Sequence, residues 1–148
     1  MTYLPKVKVT LTKECICENT TVRKRKITTG DDAVALFRES LLEADRERLV
    51  CLHLDCKMSV IAFEVVSIGS VSASVVHPRE IFKAAILLNA SSIILMHNHP
   101  SGSSEPSAED IEITGRIAEA GRMLGIELLD HVIVAAEGHT SFRQVGLM

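Results

Sequence analysis

Apolar Val7, Val9 and Leu11 alternate with Lys8 and Thr10, which predicts a short half-buried strand near the start of the chain. Residues 14–26 are polar and irregular, so 1–27 reads as an N-terminal extension ahead of a domain over 28–148. From Thr28 the run Thr-Thr-Gly-Asp-Asp supplies cap residues and early acids. Ala33, Phe37 and Leu41 then recur at helical spacing, predicting a first helix to near Leu42. Residues 49–54 and 59–68 are strand-like runs separated by Asp55, Cys56 and Lys57, as in a hairpin, and 71–76 predicts a third strand. Pro78 suits the first turn of a helix carrying Ile81, Ala84, Ala85 and Leu88 to near Asn89. A buried strand over 92–96 follows. Ser107 opens a third helix, with Ile111, Ile117, Met123 and Leu124 leading to Gly125, a natural C-terminal cap. The last strands fall at 126–135 and 140–142, joined by a turn containing Glu137, Gly138 and His139. This order predicts an α/β sandwich, about three helices on a mixed sheet, with no internal repeat.

Length and charge narrow the picture little further. One domain suits 148 residues, and a net charge of −3 gives no electrostatic reason to expect nucleic acid or membrane as a direct partner. Apolar runs such as 84–88 and 93–96 are too short to span a bilayer, and the N-terminus lacks an apolar signal core, so a cytoplasmic protein is expected. In that setting Cys15, Cys17, Cys51 and Cys56 are expected as free thiols. The single residue between Cys15 and Cys17 suits a strand or loop better than a zinc knuckle.

The chemistry concentrates in Met96-His97-Asn98-His99-Pro100. In an extended backbone, residues two apart point the same way, so the two imidazoles share a side. Asp110 follows one turn into the third helix, close enough in sequence for a short loop to return its carboxylate to the pair. Two histidines and one carboxylate leave a fourth tetrahedral position for water, the pattern of catalytic rather than structural zinc, one Zn2+ per chain. Glu64 is an acid inside an otherwise apolar strand, costly there without a partner, and suits a general base that later returns its proton to a leaving nitrogen. Ser107 caps the third helix and can also direct its hydroxyl at a developing oxyanion. Ser107 with Asp110 is by itself a capping pattern; the paired histidines are what turn the set into a metal site. His131, after Asp130, reads as a packed histidine outside the ligand set, and His53, His77 and His139 as surface or core residues.

In order and spacing, His97-x-His99-Pro100, six residues, Ser107, two residues and Asp110 resemble the JAMM signature of the JAB/MPN metalloproteases. The wider text, Val76-His77-Pro78-Arg79-Glu80, His97-Asn98-His99-Pro100-Ser101-Gly102, Pro106-Ser107, Leu129-Asp130-His131 and Ser141-Phe142-Arg143, resembles RadC-like proteins. The resemblance implies a JAB/MPN fold, cytidine-deaminase-like, a curled mixed sheet flanked by helices. It also implies zinc on His97, His99 and Asp110, a general acid/base at Glu64 and an oxyanion-stabilising Ser107. The expected activity is zinc-dependent hydrolysis of amide bonds in a peptide or protein. The alternative is a RadC-like accessory protein of DNA repair or mobile elements whose metal site is structural. Longer RadC-like proteins resemble a fusion with an N-terminal helix-hairpin-helix module, and only some thirty residues precede the first helix here. The contiguous letters His-Asn-His do not make a nuclease, and no His-Glu-x-x-His or Pro-Cys-x-x-Cys is present.

Overall fold

A computed structural model describes residues 25–69, 71 and 76–148, and the strand expected around Val7 to Leu11 lies outside them. Thr29 caps α1 (Gly30–Leu42), its hydroxyl accepting from the Asp32 N–H while the Asp32 carboxylate accepts from Thr29 N–H in return. β1 (Glu47–Leu54) and β2 (Val60–Gly69) form the expected hairpin, each a little displaced from the predicted bounds. Of the strand expected over 71–76, the described ends Val71 and Val76 belong to no strand. The remaining elements are α2 (Pro78–Leu87), β3 (Ser92–Asn98), α3 (Ala108–Leu124), β4 (Glu127–Ala135) and β5 (Gly138–Ser141). Ser107 and Gly125 cap α3 as its sequence predicts, the glycine at φ 70° where a side chain would be strained.

The strands make one mixed sheet in the order β2-β1-β3-β4-β5. Only β3 and β4 run parallel, and α3 is the crossover between them. Alternation along β1 sends Val50, Leu52 and Leu54 to the face covered by α1, where they meet Ala33, Phe37, Leu41, Ile94 and Met96. Leu49 and Cys51 face the other way with Ile93 and Leu95, against Ile81, Phe82, Ile113 and Ile117 from α2 and α3. Helices on both faces explain why all seven residues of β3 are buried, and why its sequence is a continuous apolar run before it reaches the histidines. Among the described residues no helix is long and apolar enough to cross a membrane.

Candidate metal centre

β3 carries His97 at its C-terminal end on the face covered by α2 and α3, and the chain leaves the sheet through Asn98 and His99. His99 stays anchored, its N–H donating to Val134 O at 3.0 Å. α3 enters from the same end with Asp110 in its first turn. The expected trio therefore converges. His97 Nε2 lies 3.0 Å from His99 Nε2 and 3.1 Å from Asp110 Oδ1, and His99 Nε2 lies 3.4 Å from Asp110 Oδ2.

Hydrogen bonds determine which of these atoms carry protons. The Thr114 hydroxyl has one hydrogen, and at 2.6 Å it donates it to Asp110 O, a carbonyl that can only accept. His131 Nδ1, 2.6 Å from the same hydroxyl, must then be the donor. Burial, reinforced by the neighbouring His97 ring, pushes His131 well below the usual imidazole range, so the ring is neutral and its Nε2 accepts. His97 Nδ1, 2.8 Å away, is consequently protonated and donates to it. On the other side His99 Nδ1 donates to Ser103 O at 2.9 Å. Both Nε2 atoms are left as bare lone pairs aimed at one another and at a carboxylate, a cluster that repels itself unless a cation fills it. These donors fit a divalent metal. Burial opposes ionisation of Asp110, but positive charge on its His97 side, which a bound cation would supply, together with the Ser107 N–H and O–H outweighs it and holds the carboxyl well below the ordinary range.

Ser107 stands beside the trio with its hydroxyl committed, donating to Asp110 Oδ2 at 2.7 Å while its N–H donates to the same oxygen at 2.8 Å. Glu64 is not brought to the trio. It pairs with Cys51, itself opposite Leu95, so it sits two strands across and two residues back from His97, and its carboxylate turns toward His53. Two further acids reach the site, Glu47 from β1 and the exposed Glu109 from α3. Leu49 faces His97 across β1 and β3, and Glu47, two residues from Leu49, lines the same cavity as His99. Glu47, His99, Ser101, Ser107 and Asp110 together line an open cavity of about 350 Å³, where Glu47 Oε2 accepts from Val71 N–H at 3.0 Å. Asn98, the middle letter of His-Asn-His, points off the opposite face. It grips the backbone on both sides of Glu47, accepting from Arg48 N–H at 2.7 Å and donating to Arg46 O at 3.0 Å. A larger groove of about 660 Å³ near Gly121, Arg122 and Met148 has neither histidine nor cysteine in its lining.

Residues 27–147 match the profile of the RadC-like JAB domain, nearly the whole described chain. The chain belongs to the RadC-like JAB family. Among curated relatives, a UPF0758 protein of Methanosarcina acetivorans is 45% identical over 125 residues, 84% of this chain and 55% of that one. A UPF0758 protein of Rubrobacter xylanophilus is 49% identical over 122 residues, 82% and 53% respectively. This RadC-like chain spans about half the length of the curated relatives it matches, and their names record no activity. The five-strand mixed sheet with three helices is consistent with the JAB/MPN-like fold.

Proposed function

We propose that this RadC-like protein is a metal-dependent hydrolase of amide bonds in peptides or proteins, with zinc held by His97, His99 and Asp110. The observation that carries the reading is the pair of hydrogen-bond-fixed Nε2 lone pairs converging with Asp110 at an open cavity that is also lined by the Glu47 carboxylate. A zinc ion there supplies Lewis acidity, acidifying water and polarising a carbonyl. The protein's own groups do the rest. Glu47, rather than Glu64, takes the proton of the attacking water and delivers it to the leaving nitrogen, since it lines the cavity from the sheet and is half-buried there, whereas Glu109, the other non-ligating acid of the wall, is exposed on α3. Asn98 holds Glu47 in place through the backbone, and His131 with Thr114 holds His97 in the ligating tautomer. Ser107 fixes the rotamer of Asp110; turning its hydroxyl toward a substrate oxyanion would require breaking its 2.7 Å bond to that carboxylate.

The test is metal content by mass spectrometry beside turnover of a peptide library. His99→Ala and Asp110→Ala are expected to lose about one equivalent of zinc and all hydrolysis. Glu47→Gln is expected to keep that zinc and lower kcat by at least two orders of magnitude, as removal of a general base does. Full hydrolysis by Glu47→Gln with loss by Glu64→Gln would return the base to Glu64, and unchanged zinc in Asp110→Ala would sink the site.

A further inference from the structure

The α2 and α3 face of the sheet contains a second cluster of ligating side chains, away from the trio. Cys51 and His53 stand two apart on β1 and so point the same way, and Glu64 lies directly across from Cys51 on β2. One donor atom from each of the three lies within 4.8 Å of the others. Cys51 and Glu64 are level with Leu95 and His53 with Ile93, which puts the cluster's ligands about 7 to 13 Å along the sheet from the level of His97 at the usual strand rise.

The groups in this cluster lack the partners that their burial demands. His53 is 0% exposed, yet neither ring nitrogen has a hydrogen bond. Its Nε2 approaches Glu64 Oε1 at 3.4 Å without making one, and that buried oxygen is also unpaired. Cys51 has only a weak contact, 3.9 Å from Leu52 O. Lys83 on α2 is occupied by Glu80 at 2.9 Å. A buried imidazole and carboxylate oxygen left without partners would each cost about 1–3 kcal/mol. In contrast to the catalytic trio, no neighbour assigns the His53 proton, so either ring nitrogen is available as a lone pair.

We propose that Cys51, His53 and Glu64 form a second metal site that takes a divalent transition ion of the zinc class through thiolate, imidazole and carboxylate. Those three donors match the borderline-soft ion in type and number, with a fourth position left for water. Glu64 is the way in, because it alone of the three is partly exposed and it sits on β2, an edge strand of the sheet among the described residues. As the Cys51 sulfur bonds the ion, its thiol proton leaves to solvent. Burial, helped by the Glu64 charge, pushes that thiol up, so the proton stays on until a cation arrives. The filled site ties β1 to β2 in the middle of the hairpin.

Cobalt(II) titration of the whole 148-residue chain, stripped of metal by chelator, tests this, because the first site has no sulfur and only a thiolate ligand gives the near-ultraviolet charge-transfer band. The Asp110→Ala chain, with Cys15, Cys17 and Cys56 changed to Ser, is expected to bind one equivalent and show that band. Adding Cys51→Ser is expected to abolish both. Glu64→Gln, altering the most exposed ligand, keeps the fold testable if Cys51→Ser does not fold, and is expected to weaken binding at least tenfold. No band and no bound cobalt in the Asp110→Ala background, or a band unchanged by Cys51→Ser, would overturn the site.

Discussion

Thr114 shows how much one hydroxyl decides. Its single proton, given to a backbone carbonyl of its own helix, sets the tautomer of His131, which sets that of His97, which frees the nitrogen proposed to bind metal. Thr114→Val keeps the shape and removes both roles of the oxygen. It is expected to weaken zinc affinity about 10- to 100-fold, the usual size for the outer partner of a ligating histidine, with little change in the fold; competition against a calibrated chelator measures it. The convergence of His97, His99 and Asp110 was readable from sequence, because His-x-His on a strand end and an acid at N3 of a helix are local patterns. Glu47 was not, since its place beside His99 depends on the β1 to β3 register, which no local pattern records. Glu64 attracted the assignment for a sound reason, an acid in an apolar strand needing a partner, but the nearest partners proved to be His53 and Cys51.

At the scale of elements, α3 has two glycines that behave oppositely. A Cβ on Gly121 would meet Ile126 O at 2.4 Å and the Phe82 ring at 3.1 Å, where the helix turns tightly into β4. Gly121→Ala is expected to cost about 1–3 kcal/mol of overpacking. A Cβ on Gly115 meets nothing, so Gly115→Ala is expected to stabilise by about 0.5–1 kcal/mol through helix propensity. Thermal denaturation of the two variants should move Tm in opposite directions. α1 carries a pH dependence of its own. Hydrogen bonds from Thr28, first its N–H and then its hydroxyl, together with the Thr29 N–H, lower Asp32 from 3.8 to about 2. A depressed carboxyl contributes stability above its unfolded value, near pH 4, and loses it as pH falls through about 2. Asp32→Asn should flatten that acid limb in a stability-against-pH series. Helix caps and strand periods placed most elements within two or three residues; of the run 71–76 only the two ends lie among the described residues.

For the whole molecule, an ion that binds only the folded chain stabilises it by mass action, about 2.7 kcal/mol at a hundredfold excess over Kd. Stripping metal should therefore lower Tm by several degrees, and restoring micromolar zinc should recover it. In Asp110→Ala the recovery should be smaller but not absent if the β1 and β2 cluster also binds. The burial of β3 along its full length bears on timing as well. A central strand opens only when the whole sheet does, so His97 is held for as long as the protein stays folded, with Asp110 bound into the capping box beside it. His99 stands past the strand on the loop toward Pro106, fastened to the sheet by one backbone bond. Ion exchange then has a fast route through fraying of that loop, with two ligands still in place, and a slow route through global unfolding. Dissociation of zinc should accordingly outpace unfolding, making the centre rechargeable within the lifetime of a single folded molecule.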